Sequence, residues 1–450
     1  MTRRQLSGAA LIWLVLLCGL TLLAGYANKA RCTGPEFTED GRSVPGYDTR
    51  KNRDVCYSDI QHLWITRDLG EHNLPYLSGG ITEQGTLYGG TVEYPVLSGL
   101  LIWLGGLGAD TDASFLLGSA LLMAPFGLAT AWMLGQLSGW RALLWGLGPP
   151  LVLYAFHNWD LPVVACAVGA VWVMHRPRGP DRSPAGRGVI AAVLLGLGFA
   201  LKLYPAVFVL PLAIYVLTSA ERGYDVRGAL RVCGAAAGIA VLANLPFLLL
   251  GYSGWRASLT FQQLRQVDIT TNSIWFWAYL PASDDTAFQS VMDWLSPLAV
   301  LGSFALAVAL GWRRYRRDGS YPWVAVSAAM LCGFLLLHEV HSPQYTLWLL
   351  PFFVLLRVRW GWIAGYLVAD IAMGIGIFRW YYQLNNGLGS GIVDGLAAQA
   401  VAVGVWGRAA LLVALFWVFL HSRSTVDSDL PRSGARTRLS HRLLPRSGTR

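Results

Sequence analysis

The chain has 450 residues, 54% of them hydrophobic and only 14% charged, with a mean hydropathy of +0.44. Soluble domains carry roughly 25% charged residues, so this composition excludes a soluble globular protein. The net charge of +9 does not mark a nucleic-acid binder, because the arginines gather in short loops between apolar runs and in the tail, as cytoplasmic loops require.

Long apolar runs recur from Leu11 to Leu420, which predicts an all-α, polytopic membrane protein. Arg3 and Arg4 precede a run from about Leu6 to Tyr26. It is long and lacks a clear small-x-small cleavage site, so it reads as an uncleaved first helix with its amino terminus inside. Residues 27–113 then form a long first outer segment, polar to residue 93 and rich in Gly, Pro and charge; ordered loops of such length are usually functional. Its last part, 94–108, is too short to span and is expected to lie in or dip into the interface. Cys32 and Cys56 share this segment; they bridge if it faces an oxidising exterior and are otherwise two free thiols. Cys18, Cys166, Cys233 and Cys332 fall in apolar runs and read as buried thiols, and no metal-type Cys spacing occurs.

Runs at about 114–135, 141–156 and 160–174 lead to a loop bearing Arg176, Arg178, Arg182 and Arg187 against Asp181, expected inside. The run 188–218 is too long for one helix. Two short helices meeting near Lys202 at the outer side satisfy both its length and the basic loop with Arg222, Arg227 and Arg231 that follows. A span at 229–251 precedes a second outer segment, 252–291. A span near 292–312 ends at Arg313, Arg314, Arg316 and Arg317, inside. Spans at 322–337 and 342–356 flank the outer turn from His338 to Tyr345, and two more, reaching about Phe378 and covering 394–420, complete about twelve with both termini inside. Residues 1–420 are thus one transmembrane domain, and 421–450 a basic disordered cytoplasmic tail.

This topology gathers the polar, non-basic insertions on one face. Asp59, Glu93, His157 to Asp160, Lys202, Arg265, Asp268 and His338 to Gln344 all fall there, and ionisable residues at membrane depth are functional candidates by default. A carboxylate on a long outer loop beside a buried lysine, arginine and histidines suits general-base catalysis next to a phosphate. A lipid phosphate is already a good leaving group, so neither metal nor other cofactor is expected. His338 and His341, three apart, could hold a metal, but no further ligand set is evident; phosphate or sugar contact is the preferred role. Asp59 could instead cap the helix that starts near Ser58, Asp160 could cap the next span, Lys202 could snorkel, and Arg265 and Asp268 could be a solvated pair. Glu93 reads equally as a hydrogen-bond acceptor at a helix start or as an acceptor-substrate contact, and Gln344 as a helix cap with a donor contact.

The motifs carry a resemblance. Cys56-Tyr57-Ser58-Asp59-Ile60, Arg67, Pro75-Tyr76 and Glu93-Tyr94-Pro95-Val96-Leu97 resemble the first outer loop of glycosyltransferase family 87, a GT-C family using polyprenyl-phosphate sugars. Asn158-Trp159-Asp160-Leu161, Gly196-Leu197-Gly198 with Lys202-Leu203-Tyr204-Pro205, Arg265 and Asp268 with Ser273-Ile274-Trp275, and Ser342-Pro343-Gln344-Tyr345 continue it. The likeness covers residues 5–420, with Glu339 where the pattern commonly has a lysine. It implies a GT-C-like fold and inverting transfer of a hexose, most often mannose, from a polyprenyl phosphate to a lipid or polysaccharide acceptor on the extracytoplasmic face of the plasma membrane. Asp59 matches the family's base; Glu93, Tyr94, Asp160, Lys202, Tyr204, Arg265, Asp268, His338, His341 and Gln344 are the expected substrate-binding residues. The partners so implied are the lipid-linked donor, a glycolipid or polysaccharide acceptor and membrane lipids, with no nucleic acid. A lipid-sugar flippase and a non-catalytic envelope-assembly subunit are the competing readings; no repeated halves of the transporter kind occur.

Overall fold

The structure is a computed structural model that describes residues 6–176 and 183–425. Most of the basic loop around Arg178, Asp181 and Arg182, the start of the chain with Arg3 and Arg4, and nearly all of the tail lie outside the described residues. The fold is all-α: among the described residues, strand is confined to two hairpins of two-residue strands, Glu36–Phe37 with Ser43–Val44 and Gly80–Ile81 with Leu87–Tyr88.

Helix α1 (Gly8–Ala30) starts at Ser7, whose hydroxyl accepts from the Ala10 N–H. The first outer segment then folds as α2 (Tyr47–Arg53), α3 (Asp59–Thr66) and α4 (Val96–Gly106). Cys32 and Cys56 are joined as a disulfide with Cα atoms 6.2 Å apart, tying the end of α1 to the turn before α3. At 11 residues α4 is about 16 Å long, too short to span. A capping box at Thr111 and Ser114 opens α5 (Asp112–Ser138).

The run 141–156 is not one helix. A 3-10 turn at Gly139–Ala142, α6 (Leu143–Gly146) and α7 (Pro149–Tyr154) divide it, because Gly148 and the Pro149-Pro150 pair stop one segment and start the next. Then come α8 (Leu161–His175) and α9 (Pro184–Leu201), which ends where Lys202 adopts an extended backbone (φ −151°) ahead of Pro205. A 3-10 turn over Tyr204–Phe208 leads into α10 (Val209–Leu217). The long α11 (Val226–Leu250) precedes α12 (Tyr252–Gln263) and α13 (Ile274–Ala278), which form the second outer segment. That segment is shorter than the sequence suggests: α14 (Thr286–Asp318) is capped by Asp285, and its 33 residues reach about 50 Å, well past a membrane core of about 30 Å. The remaining elements are α15 (Trp323–Leu337), a 3-10 turn at Pro343–Tyr345, α16 (Thr346–Leu355), α17 (Trp360–Asn385) and α18 (Leu396–His421). With only ten residues, α16 is also shorter than the span expected over 342–356, since Pro343 sets a 3-10 turn before it.

Among the described residues, seven helices are long and apolar enough to cross a membrane by length and composition: α1, the stretch Asp112–Gly146, α9, α11, α14, α17 and α18. The chain is a multi-pass membrane protein; the other expected crossings are short or broken. Most of α11 and α14 is exposed apolar surface, as lipid-facing helices are. Cys233 on α11 is accordingly exposed, against the sequence reading, while Cys18 and Cys332 are buried.

The ends of the bundle differ. At one, Arg141 donates to the carbonyls of Phe353 and Leu356, and Arg314 to those of Leu420 and Ser422. At the other lie the breaks after α7, α9 and α15, so three interrupted helices deliver their polar turns to one end of the bundle. There the main-chain N–H of His341 bonds the Thr271 carbonyl at 2.7 Å, and Tyr381 bonds the Ile269 carbonyl at 2.8 Å, fastening the second outer segment.

Candidate active site

Asp59 is the first residue of α3, and the capping role belongs to Ser58, whose hydroxyl accepts from the Ile60 N–H. The Asp59 carboxylate is therefore released from helix duty. Its main-chain N–H donates to the His157 carbonyl at 2.8 Å, which docks α3 against the turn after α7. Tyr57 donates its hydroxyl to Oδ1 at 2.7 Å, and Asn158 Nδ2 donates to Oδ2 at 2.5 Å. Both oxygens are thus held by neutral donors from different parts of the chain. Burial pushes the carboxyl above its ordinary range; the two hydrogen bonds and the Lys202 charge pull the other way.

Asn158 also donates to the Tyr94 hydroxyl at 2.7 Å. Tyr94 is set by Tyr76, whose hydroxyl donates to the Tyr94 carbonyl at 2.8 Å. Tyr76 can lie there because α4 presents Gly99: a Cβ at that position would fall 2.2 Å from the Tyr76 oxygen. Glu93, the neighbour of Tyr94, does not open a helix. Its carboxylate takes both Nε and Nη2 of Arg67, at 2.9 and 3.3 Å.

A second group adjoins the first. Asp160 stands at the N-cap of α8 without capping it. Its Oδ1 instead accepts from Lys202 Nζ and from Trp348 Nε1, each at 2.7 Å, and its fully buried Oδ2 has no partner among the described residues. Lys202 is buried, 5.7 Å from the Tyr94 ring and 5.6 Å from the Trp348 ring. Trp348 is itself sandwiched, with Tyr204 at 4.2 Å and Tyr345 at 3.8 Å between ring centroids. The result is a slab of three stacked aromatic rings beside a buried ion pair.

The turn from His338 to Gln344 closes the site. His341 Nδ1 contacts the Leu335 carbonyl at 2.7 Å, while its Nε2 and the Oε1 of Gln344 are buried with no partner among the described residues. Burial, with the Arg408 and His338 charges, holds His341 well below the ordinary imidazole range; burial and the Arg265 charge lower His338 as well. Glu339 is half-buried and pushed up to about 7, by desolvation first and the Asp293 charge second. Arg265 donates to the Thr270 hydroxyl at 3.1 Å, and its buried Nε has no partner among the described residues. Asp268 bonds Thr270 at 2.7 Å, so the two share a threonine and not a direct contact. Tyr345, stacked on Trp348, lies within electrostatic reach of Asp59, Asp160 and Arg265. Among the described residues, no group of three or more His, Cys, Asp or Glu side chains could hold a metal.

Sequence reasoning missed five participants. Tyr57 and Asn158 stand in the sequence only as parts of motifs, and nothing there marks Trp348 as part of the site. Arg408 on α18 and Asp370 on α17 were passed over, although single charges inside apolar runs are a signal in themselves. Both are buried, 3.7 Å apart, and Thr346, the first residue of α16, donates its hydroxyl to Asp370. This pair anchors α16 and hence Tyr345 and Trp348.

The sequence profile of glycosyltransferase family 87 matches residues 93–338. No curated protein gives a sequence match. Among solved structures, the chain is similar to the crystal structure of ArnT from Cupriavidus metallidurans bound to undecaprenyl phosphate. The identity is 15%, covering 91% of this chain and 77% of that one, with a TM-score of 0.42.

Proposed function

Because the chain belongs to glycosyltransferase family 87, we propose that it moves a hexose, mannose in the first instance, from a polyprenyl phosphate to a hydroxyl of a lipid or polysaccharide acceptor. The observation that carries this reading is the half-buried Asp59 carboxylate, fixed at both oxygens by Tyr57 and by Asn158, which also bonds Tyr94 beside the Lys202–Asp160 pair and the stacked aromatic slab.

In the proposed reaction the acceptor oxygen attacks the anomeric carbon from the face opposite the phosphate. Asp59 takes the hydroxyl proton as the new C–O bond forms. The bond from the anomeric carbon to the phosphate oxygen breaks, its electron pair stays on the phosphate, and the anomeric configuration inverts. Lys202 is already committed to Asp160, and the imidazoles of His338 and His341 are held toward their neutral forms. Arg265, with its orphaned Nε, is then the cation that meets the phosphate, and the histidines serve as neutral hydrogen-bonding groups. Asp160 Oδ2, Gln344 Oε1 and His341 Nε2 are the buried orphaned atoms suited to sugar hydroxyls, with the rings of Tyr204, Trp348 and Tyr345 as the apolar wall. The leaving group needs no metal or other cofactor, so chelation is expected to leave the rate unchanged.

The topology that fits is the arginine end inside and the site end outside the plasma membrane, both termini cytoplasmic. The test is product analysis. Purified protein is incubated with labelled polyprenyl-phosphate mannose or arabinose and membrane-lipid acceptors. Transfer of label with inversion supports the reading; movement of intact lipid-linked sugar without bond cleavage would establish the flippase instead.

A further inference from the structure

Next to Tyr57 and His157, two residues that hold Asp59, lies a cation to which the proposed reaction assigns no role. Lys29 is in the last turn of α1 and is 2% exposed. Its Nζ donates to the Tyr57 carbonyl at 2.7 Å and lies 3.4 Å from His157 Nδ1. Each of those residues holds Asp59: Tyr57 through its hydroxyl, His157 through the carbonyl that takes the Asp59 N–H. The four residues form a closed ring of contacts, Lys29 to Tyr57 to Asp59 to His157 and back to Lys29. The Tyr57 ring is further pinned between His157, at 5.3 Å, and Phe378, at 5.4 Å between centroids.

Both contacts of the ammonium are neutral groups, since burial and the Lys29 and Lys202 charges hold His157 well below the ordinary imidazole range. Burying a charge against neutral partners is costly. A neutral donor would hold the Tyr57 carbonyl at less cost, so packing alone does not account for a charge here. Asp59 lies within electrostatic reach of Lys29 and gives that charge a use.

We propose that Lys29 is a positioning residue for the base: it clamps Tyr57 and His157 around Asp59, and its ammonium, when protonated, favours the ionised carboxylate. This rests on the reading of Asp59 as the base. Tyr57, Tyr94, Tyr47, Tyr345, Lys202 and Asp160 also face Asp59 electrostatically and are not substituted in any Lys29 variant, so a difference between variants originates at Lys29.

The experiment measures kcat, KM and the pH–rate profile of the purified full chain with labelled polyprenyl-phosphate mannose for wild type, Lys29→Met, Lys29→Gln, Lys29→Arg and Asp59→Asn. Gln keeps a donor for the Tyr57 carbonyl and loses the charge; Arg keeps both. The proposal expects Met and Gln to lower kcat about tenfold or more with KM within about twofold. It also expects their acid limb to move to higher pH, because a carboxylate deprived of a nearby cation protonates more readily. Arg should recover most of the rate. A wild-type profile in Lys29→Gln, or Met and Gln at the wild-type kcat, would overturn it; should Lys29→Met fail to fold, Gln and Arg decide in the same way. Loss of turnover in Asp59→Asn beside unchanged Lys29 variants sinks only the clamp. Wild-type turnover in Asp59→Asn sinks the underlying reading.

Discussion

Replacing Lys202 by methionine removes one member of a buried pair and leaves Asp160 with an uncompensated charge. In the structure the pair is 2.7 Å long, with side-chain exposures of 10% for Lys202 and zero for Asp160. Breaking a buried pair from one side costs about 3–5 kcal/mol. A second route to the same figure sets a ceiling. The orphaned carboxyl can escape its charge by taking a proton, and neutralising an aspartate of ordinary unfolded pKa near 3.9 at pH 7 costs about 4 kcal/mol, at 1.36 kcal/mol per unit. At pH 5 the same step costs only about 1.5 kcal/mol. Lys202→Met is therefore predicted to lose about 4 kcal/mol at pH 7 and about 1.5 kcal/mol at pH 5, because the folded variant now binds a proton that the unfolded chain releases. The double variant Lys202→Met with Asp160→Asn should recover to within about 1 kcal/mol of wild type, since no charge is left stranded. The assay is denaturant unfolding in detergent at both pH values. A single-variant loss below about 1 kcal/mol with no pH dependence, or a double variant as damaged as the two singles summed, would refute the reasoning.

Asn158→Leu deletes the donor to Asp59 Oδ2 at similar volume, and kcat is predicted to fall about tenfold to a hundredfold with donor KM little changed, read by steady-state kinetics. For Glu339, raised from 4.5 to about 7, the folded chain keeps a proton that the unfolded chain gives up, so stability falls as pH rises through that window. The half-exposed site keeps the effect below about 1 kcal/mol. Glu339→Gln should flatten this fall in Tm between pH 5 and 8. Cys56→Ser opens the disulfide, which spans 24 residues, and should cost about 3 kcal/mol under non-reducing conditions and nothing under strong reductant, read by unfolding midpoints.

Much of this was legible from residues alone. The apolar runs, their arginine-bearing loops and Lys202 at a helix break all reflect local composition, and Pro205 made the last of these readable. The same logic overcounted at 141–156, where hydropathy hid the Gly148-Pro149-Pro150 break. What stayed hidden was pairing at a distance. Asn158 reaches Asp59 across 99 positions and Trp348 reaches Asp160 across 188; no periodicity encodes such contacts. The sequence offered Lys202 a phosphate, while the fold offers it Asp160, and that shifts the expected phosphate contact to Arg265. Nothing in the sequence marks Lys29, which falls at the start of the first outer segment, because its burial depends on Tyr57 folding back over it.

The most direct test of the account is single-turnover transfer by wild type and Asp59→Asn with labelled polyprenyl-phosphate mannose, each shown to be folded by its Tm. Loss of a general base predicts a rate about a hundredfold to ten-thousandfold lower in the variant, with donor binding retained. Transfer by folded Asp59→Asn at the wild-type rate would contradict it.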